Sequence, residues 1–594
     1  MNIYKERIEK LQELMKNNNI DIYVILSADP HLSEYLPEYY KSKVFMSGFS
    51  GSVGTLVFTQ TQSYLWVDGR YWLQAEEELK GSGVVLQKQD SSNTFLQWIK
   101  KNNYDKKNIL GIDFAILPLE ILRELNKYIS VVDKDFISDL WKERPSLPTN
   151  KIYEHEEKYC SYTRKEKLQM IREQMLKLNT KAHLISSIDD IAWITNLRGS
   201  DVSYNPVFLS HFLILEHTSY LFIDIKKIES SLIEKLKQDG IELRPYEYIQ
   251  DELKKLHHIN LLIEPAKMTA LLVNTLDQSV TIVEHLNPST NLKSQKNAKE
   301  IAFIEEAMIE DGVALCKFFA WLEEAIKNDQ KISELDIDKE VTKFRSQSPY
   351  YISNSFATIA GFNANSAFAH YKATDKSYAY LQKDGLLLLD SGGQYKNGTT
   401  DITRVVPVGK MNAEQIHDYT LVLKAHIAMS RTIFPENIAT PLLDAITRAP
   451  LWEEQLDYMH GTGHGVGYFL NVHEGPQVLS YFAPILEKNK AKEGMVTSIE
   501  PGIYRSGKWG IRLENLVVHT KIQNQKNTGF GDFLYFKPLT LCPFEPSCID
   551  LTLLDQKEKN WLNNYHQEVF QKLSPKLAND TKSLQWLTIR TQAI

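Results

Sequence analysis

Two aspartates in the segment LLLLDSGGQYKNGTTDITRVV (386–406) have the type and spacing of a paired acidic site. Asp390 ends a leucine run that predicts a buried strand, and Asp401 opens a second, β-branched run. If the two runs pair as a hairpin, the carboxylates lie side by side, where they repel each other and are costly to bury. A divalent cation between them would remove that cost; the alternative is a pair of turn-capping aspartates.

Three histidines follow in HGTGHGVGYFLNVHEGP (460–476), namely His460, His464 and His473. Neutral imidazole is a common ligand for transition metals, and the interspersed glycines let the backbone approach a site closely. The glycine run is not a dinucleotide fingerprint, because no ribose-binding carboxylate follows about 20 residues later within a βαβ unit. The motif therefore indicates a metal or catalytic site, with structural histidines as the alternative.

Two glutamates complete the candidate set. Glu500 in MVTSIEPGIY (495–504) ends a β-rich run, and Glu514 lies within the apolar alternation WGIRLENLVV (509–518). A carboxylate inside an otherwise buried strand needs a compensating partner. Period-2 alternation places Arg512 on the same face as Glu514, so a salt bridge between these two residues is the alternative to metal binding.

The combined set predicts hydrolytic chemistry. Its four carboxylates and one imidazole form an oxygen-rich site whose negative charge two divalent cations would balance. Such a site favours Mn²⁺, while Co²⁺, Fe²⁺ or Zn²⁺ would also fit. Two metals a few ångströms apart can share a water, lower its pKa and present hydroxide to a carbonyl.

Charge and composition exclude several classes of protein. The chain of 594 residues has 68 Lys+Arg against 75 Asp+Glu, a formal net charge of −7, and 43% hydrophobic residues. This apolar content excludes global disorder, and the absence of a Lys/Arg-dense face argues against a nucleic-acid partner. The 4 cysteines are too sparse for a disulfide framework and are expected to be small buried hydrophobes.

The N-terminus and the hydropathy predict a cytoplasmic protein without a membrane partner. Ile3, Ile8, Leu11 and Met15 recur at helical spacing, and charges stand where a signal peptide needs an apolar run of at least about seven residues. No stretch approaches the ~18 apolar residues that a membrane span requires.

The elements that must position the candidate residues fall into four predicted regions. Alternating helical and β-rich patterns predict α/β domains over 1–148 and 149–296. Helices and glycine-punctuated strands follow over 297–545, which contains every motif described above, and 546–594 returns to helix. The apolar tail SLQWLTI (583–589) must be buried, either on its own chain or against another subunit. Specific elements are predicted as strands at 20–26, 63–68, 183–187, 211–216 and 219–224, and as helices at 72–79, 165–178 and 300–327.

Taken in order, the five candidate ligands resemble those of the pita-bread metallopeptidases, family M24, which include methionine aminopeptidase, prolidase and aminopeptidase P. In that family two Asp, one His and two Glu hold a dinuclear metal centre. The resemblance implies two ribonuclease-H-like, creatinase-type α/β domains followed by a pita-bread catalytic domain with a C-terminal helical extension. Segments similar to the N-terminal domains of cytosolic, three-domain Xaa-Pro aminopeptidases are DPHLSEY (29–35), SGFSGSVGT (47–55), VDGRYWLQA (67–75) and DDIAWITNLRGSDVSYNPVF (189–208).

The resemblance implies removal of the N-terminal residue from peptides that carry proline in the second position. A hydroxide bridging the two metals would attack the Xaa-Pro bond, in a homodimer formed through the catalytic domain. Matching residue by residue, Glu500 is implied to accept a proton from the nucleophilic water, and Arg512 is implied to orient the metal-binding carboxylates.

Four further residues are implied to contact the substrate. His370 in NANSAFAHY matches a histidine that supports the substrate and the tetrahedral intermediate. His473 matches one near the scissile bond that handles protons, and His460 and Arg70 are implied to line the substrate site. With Glu500, His370 and His473 make up the implied catalytic residues.

One departure from the family pattern precedes SGFSG, where KSKVFM (41–46) stands in place of a pair of arginines found in many relatives. Prolidase, which acts on dipeptides only, is the nearest alternative, although the two extra domains argue against it. A creatinase-like hydrolase without metals and a non-catalytic pita-bread binding module are further alternatives. Retention of all five ligands speaks against both.

Overall fold

A computed structural model describes residues 2–103, 107–523 and 529–594. The chain forms two compact units. The N-terminal unit comprises Met1–His155 and Tyr162–Ser289, and the C-terminal unit comprises Glu156–Ser161 and Thr290–Ile594. The predicted domain boundaries after residues 148, 296 and 545 stay predictions.

The first part of the N-terminal unit is a six-stranded mixed sheet. Its central strand, Ile22–Leu26, consists of β-branched and large apolar residues and is buried along its whole length. Apolar side chains cover both faces of the sheet, which is why its strands are continuous apolar runs. In sheet order the strands are Val85–Lys88, Ser63–Val67, Thr55–Thr59, Ile22–Leu26, Ile109–Ile112 and Ser130–Asp133.

A second six-stranded sheet repeats this topology. In both sheets the first strand pairs antiparallel with the next strand of the sheet on one side and parallel on the other. The resemblance implied two domains of one type, although the two halves share topology rather than a residue pattern. In sheet order its strands are Ile241–Pro245, Ser219–Ile223, His211–Leu215, Ala182–Ile185, Asn260–Ile263 and Thr281–Glu284.

The helices of the N-terminal unit are amphipathic or short. Arg164–Lys177 begins at a capping box in which Thr163 and Glu166 satisfy each other's backbone N–H groups. The predicted helices at 72–79 and 165–178 are confirmed to within a residue or two. The helices are Ile3–Asn17, Ser42–Ser47, Trp72–Glu78, Phe95–Asn102, Leu119–Leu125, Ile137–Leu140, Arg164–Lys177, Ile188–Thr195, Ser230–Gln238, Ile249–Leu253 and Ala270–Asn274.

The C-terminal unit is built on small antiparallel sheets. The predicted hairpin is confirmed: Gly385–Ser391 pairs antiparallel with Ile402–Val408. The connection between these two strands folds into two further short strands, Gly393–Tyr395 and Gly398–Thr399. Gly392 permits this, since a Cβ there would lie 2.0 Å from the carbonyl oxygen of Thr400. The strands are Tyr351–Asn354, Ile359–Phe362, Gly385–Ser391, Gly393–Tyr395, Gly398–Thr399, Ile402–Val408, Ile433–Pro435, Gly463–His464, Val478–Leu479, Val496–Ile499, Gly502–Arg505, Trp509–Arg512, Asn515–Lys521 and Phe533–Pro538.

Helices enclose these sheets around one large apolar core. The predicted helix at 300–327 is confirmed and begins slightly earlier, because Asn297 and Glu300 form a capping box. The apolar tail packs on its own chain, where the rings of Trp586 and Phe319 stack with centroids 5.4 Å apart. The helices are Pro288–Ser294, which begins in the N-terminal unit, Ala298–Lys327, Glu334–Arg345, Ala413–Ser430, Asp444–Trp452, Gln556–Leu573 and Thr581–Arg590.

The structure also tests the expected burial of the cysteines and the absence of a membrane-spanning helix from the described residues. Cys316, Cys542 and Cys548 are buried as expected, whereas Cys160 is only half-buried, because it lies in a short surface connection. Across the described ranges, every helix is too short or too polar to cross a bilayer.

Candidate metal centre

The four candidate carboxylates lie at or near strand ends in the C-terminal unit. Asp390 is the penultimate residue of its strand and pairs with Thr403 of the neighbouring strand, while Asp401 immediately precedes that neighbour. Glu500 directly follows Val496–Ile499. Strand ends suit this role because the backbone is held by the sheet while the side chains project beyond it.

Glu514 corrects the sequence analysis. It lies between two strands rather than inside one, because Trp509–Arg512 ends before it and Asn515–Lys521 begins after it. Glu514 accepts a hydrogen bond from the Thr403 hydroxyl at 2.8 Å. The alternative salt bridge between Arg512 and Glu514 is wrong, since the guanidinium pairs with Asp390.

Four of the five predicted ligands converge. Asp401, His464 and Glu514 each offer a ligand atom, and these atoms all lie within 4.8 Å of one another. His464 Nε2 lies 3.5 Å from Asp401 Oδ2 and 3.4 Å from Glu500 Oε1. The His464 ring is oriented by its other nitrogen, Nδ1, which lies 3.0 Å from the carbonyl oxygen of Gly465. This leaves Nε2 directed at the carboxylates, as a metal-binding imidazole requires.

Asp390 joins the group through one free oxygen. Its Oδ2 accepts a hydrogen bond from Arg512 Nη2 at 2.6 Å. Its Oδ1 is buried and finds no hydrogen-bond donor within the described residues. A buried carboxylate oxygen without a donor is a costly arrangement in isolation, and a cation is the partner that satisfies it. The donor set therefore fits divalent cations.

The raised pKa values of three of these carboxyl groups also indicate a cation site. Burial, reinforced by the neighbouring carboxylates, raises the pKa of Asp401 and of Glu514 well above the usual range. Burial also raises the pKa of Glu500 from 4.5 to about 7, against the lowering effect of Arg512. Carboxyl groups held this close in a protein interior resist ionisation unless positive charge is supplied.

These pKa shifts predict how the metal-free protein responds to pH. A carboxyl whose folded pKa is raised contributes stability that is complete below its unfolded pKa, 4.5 for Glu500, and is lost as pH rises through the folded value of about 7. We expect the Tm of chelator-treated protein to fall by at least about 3 °C between about pH 5 and pH 8. Differential scanning fluorimetry measures it, and Mn²⁺ should restore most stability at the higher pH.

Glu500→Gln is the matched control for this prediction, because the amide keeps the shape and removes the titration. Its Tm should depend less on pH than that of the unaltered protein. Equal pH dependence in the two proteins, both metal-free, would contradict the assigned pKa of Glu500.

His473 and His460 lie beside different parts of the candidate site. The His473 ring meets the His464 ring edge to face, with centroids 4.3 Å apart and an interplanar angle of 82°. His460 Nε2 lies 2.9 Å from the Tyr504 hydroxyl, which accepts from Arg512 Nη1 at 2.7 Å. Both histidines are thus linked to ligand candidates: His473 through its ring contact with His464, and His460 through three successive hydrogen bonds that pass by Tyr504 and Arg512 to Asp390.

His370 lies on the segment that follows the short helix Asn363–Ala367. This segment is anchored by Glu334, a fully buried carboxylate. Glu334 accepts hydrogen bonds from the backbone N–H groups of Phe362 and Ala379 and from the Tyr371 hydroxyl, at 2.7, 2.7 and 2.8 Å. The position of His370 is therefore held on both sides, while its substrate role stays a prediction.

Arg70 and the departing segment 41–46 form their hydrogen bonds with nearby residues of the N-terminal unit. Arg70 forms a bidentate ion pair with Asp68, at 2.9 Å through Nε and 2.8 Å through Nη2. Its substrate role stays a prediction. In the departing segment 41–46, Lys43 is buried and donates to the carbonyl oxygen of Gly51 in the SGFSG motif.

Three supporting residues escaped the sequence analysis. The Thr403 hydroxyl contacts both Glu514 and Arg512, and alternation within DITR places it on the same face as Asp401, which was a usable signal. The Ser498 hydroxyl accepts from the His464 backbone N–H and donates to Glu500. Tyr504 was recognisable only as an aromatic residue near Glu500.

Four family matches cover most of the chain. Metallopeptidase family M24 matches residues 302–521, and the C-terminal region of that peptidase family matches 532–594. Models of the creatinase/prolidase N-terminal domain match 7–138 and 143–300. These matches confirm the predicted order of two creatinase-type domains followed by a pita-bread domain.

Individual relatives match over the whole length. Xaa-Pro aminopeptidase 1 of Dictyostelium discoideum is 38% identical over 98% of this chain and 95% of its own. Aminopeptidase P2 of Arabidopsis thaliana is 34% identical over 100% of this chain and 89% of its own. The crystal structure of X-prolyl aminopeptidase from Caenorhabditis elegans, described as a cytosolic enzyme with a di-nuclear active site, superposes with a TM-score of 0.94 at 29% identity and covers 100% of both chains.

Proposed function

This chain belongs to metallopeptidase family M24, and we propose that it is a Xaa-Pro aminopeptidase, which removes the N-terminal residue from peptides with proline in the second position. The observation that carries the proposal is the convergence of buried carboxylates and one imidazole in a chain whose full-length relatives are named Xaa-Pro aminopeptidases. Prolidase is the weaker alternative, since the similarity to aminopeptidases extends over both N-terminal domains.

Two divalent cations fit this site. Asp390, Asp401, His464, Glu500 and Glu514 would hold them, and the oxygen-rich donor set favours Mn²⁺ over metals that prefer thiolates. When bound, the cations lower the pKa of a water shared between them and polarise the substrate carbonyl. Four ionised carboxylates then become compatible with burial, because the positive charge offsets their mutual repulsion.

The surrounding residues perform the proton transfers and hold the substrate. We assign to Glu500 the acceptance of a proton from the attacking water, since its Oε1 lies among the ligand atoms and is hydrogen-bonded to Ser498. Arg512 orients Asp390 through the hydrogen bond from its Nη2 to Oδ2. His370 stabilises the developing oxyanion, and His473 delivers a proton to the proline nitrogen as the bond breaks. Substrate contacts are assigned to His460 and Arg70.

One assay tests the proposal. Metal-stripped protein is expected to leave the tripeptide Arg-Pro-Pro intact and to release arginine from it after Mn²⁺ is added, with Co²⁺ and Zn²⁺ tested in parallel. Cleavage of the dipeptide Arg-Pro without cleavage of the tripeptide would identify a prolidase instead. No cleavage of either peptide under any metal would overturn the enzymatic assignment.

We propose further that the protein is a cytosolic homodimer formed through the C-terminal unit. An apolar surface supports this proposal: Tyr481, Phe482, Ile485 and Leu486 have between 44% and 62% of their surface exposed. Clustered exposed apolar residues are typical of protein interfaces. The related Caenorhabditis elegans enzyme is described as cytosolic.

The dimer proposal predicts the effect of charges on this surface. Phe482→Asp/Ile485→Asp should convert the protein to a monomer, because burying two carboxylates in an apolar interface is unfavourable. Light scattering after size-exclusion chromatography gives the mass. Phe530→Asp is the matched control, since Phe530 is 81% exposed but lies outside this surface. A dimer that persists in the double variant, or a monomeric unaltered protein, would refute the proposed interface.

A further inference from the structure

We infer that a buried ionic triad, Lys293–Glu474–Lys296, positions His473 and His464 for the reaction. The inference rests on the proposed aminopeptidase function and deepens it, because it names residues that act on the site through its histidines. None of the three triad side chains belongs to the candidate ligand set. They are positioning residues: Glu474 lies on the loop that carries the histidines, and the two lysines bind Glu474.

The triad is almost completely buried. Lys296 Nζ lies 2.9 Å from Glu474 Oε1, and Lys293 Nζ lies 3.2 Å from Oε2. The three side chains are 1%, 2% and 1% exposed for Lys296, Lys293 and Glu474. Burying two lysines and one glutamate costs a large desolvation free energy. Apolar residues of similar volume would stabilise the fold as well as this triad or better. Positioning of the neighbouring histidines explains the buried triad better than stability does.

Glu474 is connected to both histidines. It directly follows His473, and its backbone N–H donates to the carbonyl oxygen of Gly465 at 2.8 Å. That same carbonyl oxygen lies 3.0 Å from Nδ1 of His464. The two imidazole rings are in edge-to-face contact. A displacement of Glu474 would therefore move the His473 backbone and disturb the acceptor that orients His464.

The glycines of the GTGHGVG motif make room for this carboxylate. A Cβ at Gly467 would lie 3.0 Å from Glu474 Oε2, and a Cβ at Gly465 would lie 2.1 Å from the Glu474 carbonyl oxygen. Side chains at these positions would push the glutamate away from its lysines. The positions of Gly465 and Gly467 thus match the packing around Glu474.

The two lysines lie on a segment that is fixed to the strand leading to Glu500. The Lys296 backbone N–H donates to the carbonyl oxygen of Gly494 at 2.9 Å, and Gln295 forms a β-bridge with Met495. Met495 directly precedes the strand Val496–Ile499. The triad therefore links the loop of His473 to the strand that precedes Glu500, in addition to the direct hydrogen bond from the Val466 backbone N–H to the Val496 carbonyl oxygen.

A charge-free triad tests the inference. In Lys293→Met/Glu474→Leu/Lys296→Met, apolar side chains of similar size remove the ion pairs without leaving a buried charge uncompensated. We expect a folded protein that binds two metal ions, with kcat lowered at least 10-fold and KM changed less than about threefold. A folded, metal-loaded triple variant with kcat within twofold of the unaltered protein would overturn the inference.

A second variant covers the case in which the triple variant does not fold. Lys296→Met leaves the Lys293–Glu474 ion pair, whose net charge is zero, so the variant buries no unpaired charge. Its kcat should again fall while KM stays nearly constant. Unchanged kcat in this variant would also overturn the inference. The buried pair Lys227–Asp201 of the N-terminal unit is the matched control. Its apolar replacement, Lys227→Met/Asp201→Leu, should leave kcat unchanged.

A spectroscopic measurement separates this inference from the proposed function. The ¹⁵N chemical shifts of the His464 and His473 ring nitrogens report their hydrogen bonding and do not depend on turnover. In the Lys296→Met protein these shifts should change even if no Xaa-Pro peptide is cleaved by the unaltered protein. Unchanged shifts would refute the triad's role, whereas absent cleavage by the unaltered protein would refute only the proposed function.

Discussion

Glu500→Ala is expected to lower kcat/KM for Xaa-Pro peptides by ~10³-fold or more. The residue combines two roles, because it would hold a cation and accept the proton of the attacking water. General acid–base catalysis alone contributes about 10²–10⁴-fold, and a lost ligand weakens metal binding in addition. Steady-state kinetics with Arg-Pro-Pro and metal analysis of the purified protein measure the two effects.

Glu500 is held in place by two neighbours. Its Oε1 lies 3.4 Å from His464 Nε2 and is held by the Ser498 hydroxyl at 3.1 Å. A matched control is Glu487→Ala, since the Glu487 side chain is 83% exposed and pairs only with Lys490 in the part of the chain that the structure describes. That variant should keep full activity. Full activity of Glu500→Ala would falsify the dinuclear assignment.

His473→Ala is expected to reduce kcat by about 10²–10⁴-fold while two metal ions stay bound. The His473 ring lies edge to face against the His464 ring, so it adjoins the candidate ligands without being one of the five residues assigned to the cations. Its removal should therefore abolish proton delivery to the proline nitrogen without opening the metal site. The measurement is kcat together with metal stoichiometry, at saturating Mn²⁺.

His464→Ala provides the comparison for this prediction. It removes the imidazole of the Asp401–His464–Glu514 cluster, so both metal content and activity should fall. If His473→Ala lost metal to the same extent as His464→Ala, the histidine would be a ligand rather than a proton carrier. If His473→Ala were fully active, it would have no part in the chemistry.

The sequence was sufficient for much of this description. Leucine and β-branched runs predicted the hairpin of Asp390 and Asp401, because strand formation depends on local residue type and alternation. The order and chemistry of the five ligands predicted a hydrolytic dinuclear site before any fold was known. Helix ends were predictable where capping boxes lay in the sequence, as at Asn297.

Tertiary structure alone decided which charges pair. Arg512 and Glu514 are two residues apart, and a salt bridge between them was the alternative to metal binding. Instead, Arg512 binds Asp390, which is 122 positions away, and Glu514 binds Thr403, which is 111 away. The reason is that Glu514 leaves the strand that carries Arg512. Alternation predicts a shared face only while the strand continues, and its end is set by packing.

The same distinction applies to the groups around the histidines. Lys296 and Glu474, 178 positions apart, meet only because the chain folds the segment before the long helix against the GTGHGVG loop. The raised pKa of Glu500 likewise depends on burial and on how close other carboxylates come. Residue types and local periodicity are properties of the sequence, so the ligands and strands could be identified from it. Long-range pairing and desolvation depend on where distant segments pack, and only the folded structure determines them.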